Sequence, residues 1–297
     1  MGRRGVGAAA YRDRDAGLPA RRAAGRGRGE LSRSRAPARL PGLIDSHCHL
    51  QDEAFAVDLP AVLERAREAG IVRIVVPGWD APSSAAAIEL AARHPDLLVA
   101  AVGIHPNWAA AASEDDVRRV EDLASDPAVV AVGEIGLDNH HAYTTAPRQA
   151  EVFGRMLALA TTVAKPVLVH DREAHPQITD ALVGWAGPGD RSVKGILHCF
   201  SGEANMAAAL VGAGFLISFA LPVAFSSAIG PRAVAAAIPE ESFVVETDAP
   251  YLGFARGQRN EPTTTLRVAA ELARLRNVSP EQVVAAAARN LERALGH

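Results

Sequence analysis

Two histidines separated by one residue, His47 and His49, close a short apolar stretch at Leu43-Ile44. In an extended chain, residues two apart point to the same side. Two imidazoles converging that way supply half of the ligands of a divalent cation. Four further segments repeat the pattern: Val132-Gly133-Glu134, Val167-Leu168-Val169-His170, Ile196-Leu197-His198 and Val244-Val245-Glu246-Thr247-Asp248. Each delivers a histidine or a carboxylate directly after β-prone residues. The candidate metal ligands are therefore His47, His49, Glu134, His170, His198 and Asp248.

The roles follow from donor chemistry. A carboxylate has two oxygens that can bridge two cations, which places Glu134 between a pair of ions. Asp248 joins the first histidine pair, and His170 and His198 suit a second ion. Mixed imidazole and carboxylate ligands take Zn, Mn or Co, and a water-rich site also admits Mg. Two cations about 4 Å apart polarise a phosphoryl or carbonyl oxygen, acidify a water, and clamp the attacking and leaving oxygens. Asp248 is the expected general base. Glu134 and Asp248 together form the expected catalytic pair.

One architecture brings five strand ends to one place. A (β/α)8 TIM barrel carries its chemistry at the C-terminal ends of its strands. From Leu43 onward, strands are expected at 43–46, 71–77, 97–103, 129–134, 166–170, 194–198, 214–219 and 243–247. Helical patterns lie between them, near 58–69, 81–93, 114–124, 147–163, 174–184, 203–211, 231–237 and 262–276, with a last helix near 280–294. Gly70 ends the first helix, Pro147 opens another, and Ser279-Pro280 reads as an N-cap with proline in the first turn. The strands are near-continuous apolar runs, as in parallel sheets buried on both faces. A doubly wound open sheet has similar local patterns, but it would spread these ligands too far apart to share one pair of ions.

The 297 residues, 48% of them hydrophobic, can bury one large core. The net charge of −3 hides an asymmetry. Residues 1–42 hold eleven arginines against Asp13, Asp15 and Glu30, or 11 − 3 = +8, leaving −3 − 8 = −11 for 43–297. An acidic domain argues against broad coating of nucleic acid. Two cysteines, Cys48 and Cys199, give no disulfide framework and fit a reducing cytoplasm. With no run of about 18 apolar residues, no membrane span is expected. Residues 1–42 are Arg-, Gly-, Ala- and Pro-rich without apolar periodicity, and read as a disordered extension or a start placed too far upstream. An organelle targeting peptide and a basic arm touching nucleic acid are the other readings. The domain is expected over 43–297.

Several multi-residue motifs then give a resemblance. They are Asp45-Ser46-His47-Cys48-His49-Leu50, Gly103-Ile104-His105-Pro106, Gly133-Glu134-Ile135-Gly136-Leu137-Asp138, Lys165-Pro166-Val167-Leu168-Val169-His170, His198-Cys199-Phe200-Ser201-Gly202, Glu246-Thr247-Asp248-Ala249-Pro250-Tyr251-Leu252 and Asn260-Glu261-Pro262. In this order the set resembles the TatD family of metal-dependent deoxyribonucleases, across about 43–297. The resemblance implies that His47, His49, Glu134 and Asp248 hold one metal, and Glu134, His170 and His198 the other. It also implies a cytoplasmic enzyme that trims single-stranded DNA from 3′ ends. The chain departs from the family where Asn139-His140-His141 follows Asp138, a place where aromatic residues are frequent. It departs again where Leu252 to Asn260 is shortened, and Gln258 stands where lysine or arginine is common.

Around the ligands, His105, Arg172, Arg256 and Asn260 are the expected substrate-binding residues, with Arg259 beside them. Arginine grips a phosphate bidentately, and His105 can donate to one. Each also has a plainer reading: a structural histidine, surface ion pairs, or a turn-forming asparagine. His140 and His141 are expected as loop histidines, with extra ligation as the alternative. Asp138 either orients a ligand or caps its loop. Cys48 and Cys199 are expected to pack, since alternation points them away from the ligands. The three tryptophans, Trp79, Trp108 and Trp185, are scattered, and no stacking platform for bases is evident.

The expected activity is a monomeric two-metal (Mg, Mn or Zn) hydrolase of single-stranded DNA. The alternatives are a carbonyl hydrolase acting on an amide, lactone or aminoacyl-tRNA ester, and a non-catalytic metal-binding protein. The ligands alone do not separate phosphoryl from carbonyl chemistry, because both need an activated water and a Lewis acid.

Overall fold

The computed structural model describes residues 30–31, 36–187, 192–255 and 257–296. Eight parallel strands run in sequence order, β1 (Leu43–Asp45), β2 (Ile71–Pro77), β3 (Leu98–Val102), β4 (Val129–Asp138), β5 (Val167–Arg172), β6 (Gly195–Leu197), β7 (Phe215–Phe219) and β8 (Phe243–Val245). The seam between the last strand and the first is closed just beyond their ends. Ser46 N donates to Val245 O at 3.0 Å, Asp248 N to His47 O at 2.9 Å, and His49 N to Ala249 O at 2.8 Å. The result is a (β/α)8 barrel of the TIM type, as the spacing of ligands required.

Nine α-helices surround it among the described residues: α1 (Leu59–Glu68), α2 (Ala81–Arg93), α3 (Glu114–Leu123), α4 (Ala146–Val163), α5 (His175–Ala186), α6 (Ala204–Gly212), α7 (Ile229–Ala237), α8 (Thr265–Arg276) and α9 (Pro280–Leu295). Their starts are written in side chains. Asp80 accepts from Ser83 N and Ser279 from Gln282 N, each closing a capping box ahead of a first-turn proline. In α9 the apolar spacing turns Val283, Val284, Ala287, Leu291 and Ala294 inward, and these residues are buried.

One strand is longer than its apolar run. The sequence reading ends the fourth strand at residue 134, whereas β4 continues to Asp138. The pairing with β5 slips between Gly133 and Ile135, then resumes from Ile135↔Val169 to Asp138↔Arg172. Glu134 is the residue skipped by that slip. Gly136 makes the continuation possible: its φ is +142°, and a Cβ there would sit 2.0 Å from the His170 carbonyl oxygen. Glycines at 133 and 136 and the glutamate between them interrupt the apolar run, which is why the pattern hid the strand.

The expectation of disorder falls on residues 1–42, and most of that stretch, 1–29 and 32–35, lies outside the described residues. The described part is packed. Leu31 bridges antiparallel to Phe225, and Ser226 N donates to Glu30 O at 3.3 Å. Leu40 is buried and its N–H bonds Ala69 O, so chain packing starts ahead of residue 43. No helix among the described residues is long and apolar enough to cross a membrane.

Candidate active site

The C-terminal ends of the strands bring the six expected residues together. His47 and His49 leave β1 with their Nε2 atoms 3.1 Å apart. Both face Glu134 Oε2, at 3.5 and 3.4 Å, and Asp248 Oδ1, at 3.8 and 3.4 Å. On the other side, His170 Nδ1 and His198 Nε2 are 3.1 Å apart and stand 2.9 and 3.1 Å from Glu134 Oε1. One fully buried carboxylate thus presents each of its oxygens to a separate group of donors.

This donor set fits divalent cations. Ligands about 2.0–2.1 Å from a common ion, at tetrahedral or octahedral angles, lie roughly 2.9–3.4 Å apart. The imidazole pairs have that spacing, and a nitrogen pair can share only one proton. The electrostatics agree. Burial and the neighbouring His198 push His47 down to about 4. Burial also opposes charge on His198, yet Glu134 and Glu246 overcome it and push it up to about 10. His49 is raised too, because Asp248 and Glu134 outweigh its burial. A buried cluster of imidazoles and carboxylates of this kind can hold a cation.

The backbone explains how these side chains arrive. The slip in β4 turns Glu134 inward, and Glu134 N is held by Gly78 O at 2.8 Å. The end of β3 presses on that slip so closely that a Cβ on Gly103 would meet the Gly133 carbonyl carbon at 2.7 Å. Asp248 adopts a left-handed φ of +55°, a conformation that aspartate tolerates better than most residues. Its turn is tied to β1 through buried Asp45, which accepts from Thr247 Oγ1 at 2.6 Å, Thr247 N at 3.0 Å and His47 N at 3.2 Å. Burial pushes the Asp45 carboxyl up, against the lowering effect of those bonds.

A further layer orients the imidazoles. The Pro77 carbonyl lies 3.1 Å from His49 Nδ1, which directs Nε2 of that ring to the cluster. Glu246, fully buried, stands 3.5 Å from His198 Nδ1 and is itself gripped by Cys199 N at 2.6 Å and Ser218 Oγ at 2.5 Å. The sequence reading quoted Glu246 without giving it a role. Its spacing of two from Asp248 was the signal that could have found it. Asp138 does both things left open for it. It caps the loop by accepting from His140 N and His141 N, and its Oδ2 lies 3.5 Å from His170 Nε2. Burial opposes its ionisation, but His141 and His170 hold its carboxyl far below the usual range.

The expected substrate-binding residues divide. His105 lies inside the cluster: its Nδ1 accepts from Asn107 N, so the neutral ring carries its proton on Nε2, 3.3 Å from Glu134 Oε1. Arg172 is half-buried at the rim, two residues beyond His170 on β5. Asn260 is buried and committed, with Nδ2 on Thr247 O at 2.9 Å and Oδ1 on Glu261 N at 2.9 Å. It therefore braces the Asp248 turn from behind. Arg256 lies outside the described residues. Arg259 forms a bidentate pair with Asp58 at 2.6 and 2.7 Å.

His140 and His141 are drawn to Glu173 and Asp138, at 3.0 and 2.7 Å, and neither is in the cluster. Cys48 is buried, as expected, while Cys199 is half-buried. Two of the tryptophans flank the site, with Trp79 against His49 at 5.5 Å and Trp108 against His105 at 5.6 Å between ring centroids.

Fold and site together define a metal-dependent hydrolase on an amidohydrolase-like barrel. The chain belongs to the TatD family: residues 44–296 match the family described as TatD related DNase. It is 37% identical over 254 residues to the uncharacterized metal-dependent hydrolase YabD of Bacillus subtilis, covering 84% of this chain and 98% of YabD. It is 35% identical to the 3′-5′ ssDNA/RNA exonuclease TatD of Edwardsiella piscicida, covering 79% and 92% of the two chains. The crystal structure of YjjV, a TatD homolog from Escherichia coli, superposes with a TM-score of 0.80 at 32% identity, covering 86% of this chain and 98% of YjjV.

Proposed function

We propose that this protein is a 3′-5′ exonuclease on single-stranded DNA, working with two divalent ions (Mg, Mn or Zn) in the cytoplasm as a monomer. The observation that carries the two-ion reading is Glu134, whose two oxygens face two separate donor groups. His47, His49, Asp248 and Glu134 Oε2 would hold one ion, and His170, His198 and Glu134 Oε1 the other. The nucleic-acid substrate is supported by the family and by the relatives named as exonucleases at about this level of identity.

Bound ions would supply Lewis acidity toward the scissile phosphate and toward the attacking water. The protein's own residues do the rest. Asp248, lightly exposed at the mouth of the cluster, accepts the proton of the water as oxygen attacks phosphorus. The P–O3′ bond breaks, releasing a 5′-mononucleotide and a strand one residue shorter. Asn260, Thr247 and Asp45 keep Asp248 aimed, and the Nε2–H of His105 steadies Glu134. Arg172 at the rim seats a backbone phosphate, with Arg256 assigned the same task.

The test is cleavage of 3′- and 5′-labelled single strands with Mg, Mn or Zn, comparing the native chain with Asp248→Asn. Stepwise loss of the 3′ label, abolished by chelator and by the substitution, is the expected result. No cleavage by a fully metal-loaded protein would overturn the nuclease reading in favour of a carbonyl ester or amide substrate.

A further inference from the structure

Among the described residues, two benzene-type rings are exposed, Tyr143 at 38% and Phe254 at 40%. Both stand on loops that follow strands, Tyr143 between β4 and α4 and Phe254 between β8 and α8. Such loops line the mouth of the barrel. A single exposed ring needs no explanation by itself. Tyr143 is set apart by how firmly it is held and by what its loop touches.

The phenol of Tyr143 lies nearly parallel to the imidazole of His141, with centroids 5.5 Å apart and planes at 8°. His141 is fixed in turn. Its Nδ1 donates to Asp138 Oδ2 at 2.7 Å, and its backbone N to Asp138 Oδ1 at 2.9 Å. The far side of the loop is pinned by buried Gln149 of α4. Its Nε2 donates to Asp138 O and Thr144 O at 2.9 and 3.2 Å, and its Oε1 accepts from Asp138 N at 2.8 Å. Thr144 Oγ1 also accepts from Ala110 N at 3.3 Å. The stacked pair is therefore ordered by the fold, and little ordering is left for a ligand to bring about.

The same loop reaches the cluster. Asp138 Oδ2 lies 3.5 Å from Nε2 of His170. Asn139 N donates to Arg172 O at 2.8 Å, which ties the loop to the arginine assigned to a backbone phosphate. A phosphate seat and a flat, open ring on adjoining loops match the two halves of a nucleotide. The barrel is acidic, and Arg259 and Arg65 are paired with Asp58 and Glu261, so charge alone offers a strand limited affinity.

We infer that Tyr143, backed by His141, is a platform on which one nucleobase stacks, near the end of a single strand seated in the site. This rests on the nucleic-acid reading above and adds a source of single-strand preference. Every base has a face that stacks on an aromatic ring, whereas bases inside a duplex have their faces covered by neighbouring base pairs.

The experiment uses full chains that all carry Asp248→Asn, with Mg present, so that binding is read without turnover. Anisotropy follows a short 5′-labelled oligothymidylate and three further strands with an abasic site at the last, second-last or third-last nucleotide. Tyr143→Ser is expected to weaken binding of the intact strand about 10-fold, and Tyr143→Phe to keep it. One abasic strand should lose the same factor on the Tyr143 parent and nothing more on Tyr143→Ser. Undiminished binding of the intact strand by Tyr143→Ser, or an equal loss on all four strands, would overturn the proposal. A loss at Phe254→Ser in place of Tyr143→Ser would overturn it in favour of the β8–α8 loop. With Asp248 restored, the loss in kcat/KM of Tyr143→Ser should fall on KM rather than on kcat. A loss carried by kcat would mean that the ring acts on the cluster through His141 and Asp138, and would also overturn it. If no chain cleaves the strand but the base-dependent binding persists, the platform stands and the exonuclease reading fails.

Discussion

The two ends of this barrel treat buried polar groups in opposite ways. At the N-terminal end, polar side chains close the structure. Lys165 Nζ donates to Ala124 O and Asp126 O at 2.7 and 2.9 Å, and Asn290 Nδ2 to Glu240 O and Phe243 O at 2.8 and 2.7 Å. Each donor is spent on backbone carbonyls of a neighbouring element. At the C-terminal end, His47, His49, Glu134, His198 and Asp248 are buried and face one another. Such a cluster costs stability unless a cation satisfies it. One end is made to hold, and the other to react.

Substitutions at the two ends should therefore separate activity from stability. Asp248→Asn keeps shape and burial while removing the proton acceptor, and is expected to lower kcat about 10²–10⁴-fold. Its melting temperature should stay close to that of the native chain in the absence of metal. A steady-state assay beside a metal-free thermal melt checks both halves, and unchanged kcat would break the contrast.

Removing the ions should act on stability through this end alone. An ion at 100 times its dissociation constant stabilises by about 2.7 kcal/mol, so chelator should lower the melting temperature of the native chain. Glu134→Gln should reduce that response strongly, because both donor groups lose their shared carboxylate. Equal chelator shifts in the two chains would show that Glu134 does not hold the ions.

Lys165→Met is the mirror experiment. It takes a donor from Ala124 O, while Asp126 O keeps its bond from Val129 N, and should cost about 1 kcal/mol. kcat on any substrate should be preserved. Loss of kcat with retained stability would erase the distinction between the ends.

The smallest effect is expected at the rim. The Asp171 carboxylate, 2.8 Å from His175 Nδ1 at the start of α5, raises the pKa of that imidazole, with Glu173 adding and Arg172 opposing. A raised folded value means that protonation favours the fold. The stabilisation is complete below the unfolded value of about 6.5 and fades as pH rises through the folded one. With His175 partly exposed, it amounts to less than about 1 kcal/mol. Melting curves of His175→Asn and the native chain should therefore differ at pH 6 and converge by pH 9.

Much of this was legible in the chain because local rules and global fold agree. Apolar runs of strand length, capping residues before first-turn prolines, and a polar ligand closing each run all have periods that the sequence prints directly. They determined the barrel, the element order, and the six residues that meet at one end. Other features depend on atoms far apart in the chain. The slip that turns Glu134 inward arises where β3, β4 and β5 crowd at Gly103, Gly133 and Leu168. Glu246 behind His198, Asn260 behind Thr247, and the anchoring of Glu30 and Leu31 on the β7–α7 loop are contacts across 13 to nearly 200 positions, with no local period to announce them. Residue type and spacing decided which groups could do chemistry. Only the closed barrel decided which of them touch, because hydrogen bonds and charge interactions act over a few ångströms of space whatever the distance along the chain.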